Sequence, residues 1–372
     1  MQCSVDPKKL EKVSNNNILT QDPLWAQIKK NQGIEPRAFE VKVSEELLSV
    51  EGEKSNTFKE DLLIYIHRIS DNASFAYVPY GPNLIPEDEY YGVFLEALSE
   101  QIKQHLPEDC IFVRYDLPWE NLWSKEQEFY DENQFWKGPP ENKIQEYRVN
   151  WNTEKGKLFK SRTDNLPSNT FFIDLKRTEE EIMSEMKPKT RYNIKLSGRK
   201  GVEVKQCGLE MLDTWHELYT ETALRNNIQL QDKAFFKTVL KAEEDDGNSE
   251  VQLLVAKYKG EVLAAMIFVI SNKRATYLFG ASTSKHREVM AAYRLQWEAV
   301  VRAKEAGCEE YDMFGTSPHP YETHPMAGLF RFKKGFGAKL FHRMGCWDYP
   351  YLQTDYKIYR AKEIQMASFH QN

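Results

Sequence analysis

With 372 residues, 41% of them hydrophobic and 13% aromatic, the chain has material for about two domains of ~150 residues, each with its own core. Its net charge of −6 disfavours a dedicated binder of double-stranded DNA and leaves anionic ligands to local basic patches. The longest apolar run, 262–270, is far short of the ~20 residues of a membrane span. The N-terminus lacks the apolar stretch of a secretory signal, and five scattered cysteines without a CxxC pair fit reduced thiols in a cytoplasm.

In chain order, Trp25 reads as core. Residues 62–70 read as a strand, Asp71-Asn72 as a turn, 75–82 as a second strand ending in a breaker, 87–105 as a helix and 111–116 as a closing strand. A stretch rich in tryptophan and acid follows at 119–140, where Trp119, Trp123 and Trp136 are expected to pack onto the domain. Then come a strand at 170–175, helices at 178–186 and 190–199, a strand at 202–206, helices at 209–226 and 233–242, and a strand at 251–258. The acidic run 243–246 reads as a solvated loop.

The first order of elements now recurs. Residues 262–271 form a strand, Asn272-Lys273 a turn, 275–280 a strand and 310–314 the closing strand. Between them lies a helix over 289–306 with Leu295, Ala299 and Ala303 on one face. Trp297 also reads as core. Two copies of strand–turn–strand–helix–strand imply a duplicated α/β domain with mixed sheets. The order is similar to the GNAT N-acyltransferase plan. The expected boundaries are 1–160 and 161–345, with the tail, 346–372, helical over 355–369 and returning to the first domain.

Two cationic segments stand out. Residues 187–200 hold Lys187, Lys189, Arg191, Lys195, Arg199 and Lys200 without an acid, and Thr190 is placed to cap the helix there. Residues 328–343 hold Arg331, Lys333, Lys334, Lys339 and Arg343 interleaved with Phe330, Phe332, Phe336 and Phe341, again without an acid. Gly335 and Gly337 would let backbone approach a ligand. One such run is usually a solvated face; two in an acidic chain point to a polyanionic ligand. The loop 281–293, where a CoA-binding GNAT enzyme cradles pyrophosphate with glycine amides, has no glycine. His319 and His324 lie in a proline-broken loop with Glu322 and match no zinc spacing.

The block 188–194 with 201–204, the stretch from Tyr293 through Gly315, and the 328–337 box together resemble the FemABX family, over nearly the whole chain from Trp25 to the tail. These are tRNA-dependent aminoacyltransferases that build peptidoglycan cross-bridges. The resemblance implies tandem GNAT-like domains. Only the 233–242 helix stands between residue 227 and the acidic run, so the chain resembles the compact type without a coiled-coil arm. By matched position, Lys29 and Arg225 would grip the diphosphate of the cell-wall precursor, UDP-MurNAc-pentapeptide or lipid II. Tyr77 and Tyr80 would line the groove. Asp116, at the end of its strand, would face the acceptor amine. Lys333, with Phe332 beside it, would meet the aminoacyl end of the tRNA as a cation stabilising the oxyanion. Lys187, Lys189, Arg191, Lys195, Arg331 and Lys334 would contact tRNA phosphates. Phe279 stands where relatives often have tyrosine, and Phe314 where they have glycine. The donor substrate is then aminoacyl-tRNA, no cofactor or metal is implied, and the protein is expected in the cytoplasm with peripheral contact to the inner membrane face. The rival readings are an acyl-CoA-dependent N-acetyltransferase and a non-catalytic binder of RNA or cell-wall precursor.

Overall fold

The computed structural model describes residues 2–226, 230–245 and 249–369. The strands in chain order are β1 (Cys3–Lys8), β2 (Glu35–Ser44), β3 (Thr57–Ser70), β4 (Ala73–Pro79), β5 (Cys110–Glu120), β6 (Phe159–Lys160), β7 (Asn169–Asp174), β8 (Glu203–Cys207), β9 (Glu250–Tyr258), β10 (Glu261–Ser271), β11 (Arg274–Ser282), β12 (Glu310–Gly315) and β13 (Lys339–Pro350). The helices are α1 (Pro23–Asn31), α2 (Tyr91–Ile102), α3 (Asn142–Val149), α4 (Glu179–Glu185), α5 (Pro188–Arg199), α6 (Leu212–Asn226), α7 (Lys233–Asp245), α8 (Ala291–Glu305), α9 (Ala327–Gly335) and α10 (Gln353–Phe369). None of them is long and apolar enough to cross a membrane, among the described residues.

The chain divides into two compact units. One comprises the described parts of 1–14, 20–168 and 342–372; the other comprises 15–19 and the described parts of 169–341. In the first, β1, β2, β3 and β4 pair antiparallel in sequence order, β4 pairs parallel with β5, and β13 closes antiparallel on β5. A parallel pair needs a crossover, and α2 supplies it. The second unit repeats this plan. Strands β8, β9, β10 and β11 run antiparallel, β11 pairs parallel with β12 across α8, and β7 closes antiparallel on β12. The repeat read from the sequence is therefore a repeat of sheet topology.

Strands β1 and β2 lie outside the sequence expectation. Their signal is a faint alternation, with Cys3, Val5, Val41 and Val43 buried on the core face. The acidic run is corrected too: α7 continues through Asp245, while Asp246 and Gly247 lie outside the described residues. Thr178 caps α4 in a complete capping box with Glu181.

In the first unit, Phe94, Leu95, Leu98 and Ile102 of α2 pack with Val113, Tyr115 and Leu117 of β5. Trp119 and Trp123 join this core, as expected. Alternate residues of β5 reach the other face, where Phe112 packs on Tyr356 and Tyr359 of α10. Leu295, Ala299 and Ala303 of α8 are buried, as the periodicity requires.

Candidate functional site

Asp116 belongs to the face of β5 that carries Phe112 and Arg114. The expectation placed it at a strand end, but β5 runs on to Glu120 and the carboxyl is fully buried. Its Oδ2 accepts the Tyr77 hydroxyl at 3.0 Å and the Leu166 amide at 2.9 Å. Oδ1 makes no hydrogen bond of good geometry. Burial, with the charge of Asp164 behind it, raises the Asp116 pKa to about 6. A carboxyl so placed exchanges its proton close to neutral pH, which suits an acid–base role.

Tyr77 extends the cluster. His67 stacks on Phe75 at 5.1 Å and meets the Tyr77 ring edge-on at 5.8 Å. Burial, and then the nearby Lys29 charge, lower the His67 pKa. Lys29 itself lies over Trp25 at 5.1 Å and donates to Gln32 at 3.1 Å; burial lowers its pKa. In the first unit a chain of neighbours thus runs from half-buried Lys29 through half-buried His67 to buried Tyr77 and Asp116. His67 belongs to it without having been read from the sequence, since a single histidine in a strand carries no motif. Tyr80, expected with Tyr77 along the groove, has partners of its own. It is buried, its hydroxyl donates to the Pro167 carbonyl at 2.6 Å, and the Arg343 guanidinium covers its ring at 4.3 Å.

In the second unit Lys333 sits in the last turn of α9. Only 2% of it is exposed, a burial that the basic box around it does not announce. Its Nζ donates to the carbonyls of Phe314 at 3.0 Å and Gly315 at 2.6 Å and lies 5.4 Å from the centre of the Tyr277 ring. Burial lowers its pKa to about 7, with Asp312 opposing. Phe314 has φ of 59°, the left-handed region that a non-glycine residue adopts at a cost. Glycine would take that conformation without the cost. Tyr277, the tyrosine beside Lys333, lies two residues before Phe279, across a bulge in the β10–β11 register. Phe279 instead meets Phe235 and Phe236 edge-on, at 5.6 and 5.3 Å. Phe332 is half-buried and contacts Tyr293 at 5.1 Å.

The two cationic segments meet. The Lys187 amide donates to the Gly335 carbonyl at 2.9 Å. Burial lowers the Lys334 pKa, and the Lys187 charge lowers it further. Lys187, Lys189, Lys195, Arg331 and Lys334 are exposed, with Arg331 3.4 Å from Glu322. Arg191 is otherwise engaged: its guanidinium donates to the carbonyls of Ser184, at 2.9 Å, and Met186 at the end of α4. Thr190 is no cap, because Pro188 begins α5 and leaves Thr190 buried in the first turn. Its Oγ1 lies 2.5 Å from where a Cβ on Gly335 would sit, and a Cβ on Gly337 would meet the Glu185 backbone at 2.9 Å. Both glycines are thus required by the protein's own packing.

Arg225, at the end of α6, donates to the Ser282 carbonyl at 2.8 Å and borders a cleft of about 220 Å³ with Lys285, Arg287 and the start of α8. The cleft loop has no glycine; His286 and Met290 nonetheless take positive φ, 49° and 57°. His324 Nδ1 accepts the Met326 amide at 3.1 Å, just ahead of α9.

Comparison with known proteins gives this geometry a context. Lipid II:glycine glycyltransferases of Staphylococcus haemolyticus (strain JCSC1435) and Staphylococcus aureus (strain USA300) are 21% and 20% identical over 254 and 256 residues. Those alignments take in 52% of this chain and span 61% of each relative. The crystal structure of FemX superposes with a TM-score of 0.69 at 17% identity, covering 94% of this chain and 96% of that one. A tandem GNAT protein from the clavulanic acid biosynthesis pathway superposes with a TM-score of 0.50 at 10% identity, covering 94% and 98%. The duplicated sheet plan is thus shared with a tandem GNAT protein, and the FemAB family model matches residues 8–248 and 241–363, so this chain belongs to the FemAB family.

Proposed function

We propose that the protein is an aminoacyltransferase that moves an amino acid from aminoacyl-tRNA to the stem-peptide amine of a peptidoglycan precursor. The observation that carries the reading lies within the second unit: Lys333, buried in the last turn of α9, has its Nζ held by the carbonyls of Phe314 and Gly315. Family membership and the glycyltransferase activity of the staphylococcal relatives support the reaction class.

In the reaction the amine nitrogen attacks the ester carbonyl carbon and a C–N bond forms. The C–O bond to the tRNA ribose breaks, the ribose oxygen takes a proton, and the ammonium proton is given up. Asp116, in the first unit, has the proton affinity to take up the ammonium's proton near neutral pH. Lys333 supplies the electrophilic side. Held by two carbonyls, the protonated amine cannot swing, so its third N–H is fixed in direction for developing negative charge. The exposed cations of α5 and α9 suit the donor's phosphates. Arg225 suits the precursor's diphosphate.

The test incubates the protein with a set of charged tRNAs and with UDP-MurNAc-pentapeptide or lipid II, and weighs the precursor by mass spectrometry. A mass gain of one amino acid identifies donor and acceptor together. Binding of tRNA without any transfer would favour the non-catalytic reading, and stabilisation by CoA with acetyl transfer would favour the N-acetyltransferase.

A further inference from the structure

Arg114 lies two residues before Asp116 on the same face of β5 and is 1% exposed. Its Nε and Nη2 donate to the two carboxylate oxygens of Asp348 at 2.7 and 2.8 Å. Nη1 and Nη2 also donate to Glu363 of α10 at 2.7 and 3.2 Å, and Nη1 reaches the Asn165 side-chain oxygen at 3.2 Å. Glu363 in turn accepts the Thr163 hydroxyl at 3.0 Å. The segment 163–166, which carries Thr163 and Asn165, is the one whose Leu166 amide bonds to Asp116. A fork-shaped guanidinium on two carboxylates is a rigid anchor, so both ends of this chain of contacts are fixed.

We propose that Glu363 and Arg114 are positioning residues, which dock the C-terminal helix and, through Thr163 and Asn165, hold the 163–166 strap so that the Leu166 amide stays on Asp116. The charged and titratable groups around Asp116 are Tyr77 from β4, Asp164 from the strap and Cys346 from β13, with Arg114 and Lys160 beyond Cys346. Of the strap's contributions, the Leu166 amide favours the carboxylate and Asp164 opposes it. Loosening the strap weakens the amide bond, while Asp164 stays tied to β13, its Oδ1 accepting the Cys346 amide at 2.8 Å.

The test is Glu363→Gln, with Glu363→Asp as the conservative variant, followed by carbon-13 NMR titration of the Asp116 carboxyl in the full-length protein. Losing one charge-assisted contact is expected to move the Asp116 midpoint upward by about half a pH unit, with Glu363→Asp returning most of the shift. A folded Glu363→Gln protein whose Asp116 midpoint equals that of the parent overturns the proposal, however far its melting temperature falls. If Glu363→Gln does not fold, Thr163→Val interrupts the strap while leaving Arg114 paired, and the same two outcomes decide. For catalysis the inference rests on the reading of Asp116 above. Transfer by Glu363→Gln is then expected to fall about tenfold in kcat with little change in KM for the precursor. A shifted midpoint in the variant of a parent that itself transfers nothing would keep the positioning inference and sink the proposed function.

Discussion

The Lys333 Nζ lies 2.6 Å from the carbonyl oxygen of Gly315, its nearer acceptor, and the second, 3.0 Å away, is the carbonyl of Phe314. Neither is a carboxylate, so the amine is taken out of water by partners that carry only partial charge. Its protonation therefore sets a pH dependence of folding. The folded pKa, about 7, is below the ordinary 10.5. Between these values the unfolded chain holds a proton that the native protein lacks, so this lysine adds stability as pH rises through that window. Lys333→Met should lack this slope. Urea unfolding at pH 6.5 and 9.5 should show the parent gaining up to about 4 kcal/mol relative to the variant, and a pH-independent difference would contradict the burial argument. Transfer by Lys333→Met should fall at least ~100-fold.

Asp116 gives the opposite sign. Its folded pKa, about 6, is above the ordinary 3.8, so its contribution to stability is lost as pH rises from ~4 through 6. At neutral pH the buried carboxylate is a cost. Asp116→Asn should be more stable than the parent at pH 7.5 by about 1–3 kcal/mol while losing most transfer activity. In the parent, activity should drop as pH falls through about 6. A variant that is both less stable and fully active would refute both halves.

Phe314 is held at φ 59° on β12. Replacing it with alanine and with glycine separates backbone strain from side-chain packing, because both variants lose the ring. Phe314→Gly should be the more stable of the two by about 1 kcal/mol in denaturant unfolding. Equal stabilities would mean that the conformation costs nothing there.

Gly280 leaves room for the tyrosine that faces Lys333. A Cβ at 280 would fall 1.7 Å from the Tyr277 hydroxyl and 2.5 Å from the ring carbon that bears it. Gly280→Ala should displace the ring, cost about 2 kcal/mol and reduce transfer. Adding Tyr277→Ala should restore part of the stability without restoring activity. A double-mutant cycle with zero coupling would show that the ring does not hold this position.

Much of the architecture is legible from the sequence because its signals are local. The buried stripe of α8 and the strand–turn–strand of β10 and β11 declare themselves in a few residues each. Strands β1 and β2 do not, since Cys3–Lys8 is short and carries a proline, and its partner lies some thirty residues on. Among the site residues, Lys333 is visible as part of a basic box but its burial is not, because burial depends on the turn of β12 at Phe314. The Asp116 cluster draws on β4, β5 and the strap before β7, and no pattern in the sequence joins them. Arg191 and Thr190 show the converse: a cation and a hydroxyl at promising positions are used by α4 and α9 instead.

The hydrogen bond from the Lys187 amide to the Gly335 carbonyl fastens the first turn of α5 to the last turn of α9. A polyanion that pulls on the lysines of α5 therefore pulls, through one short bolt, on the helix that bears Lys333. The exposed lysines of α5 and the buried amine of Lys333 are thereby geared together, so that a shift of one helix is carried to the other.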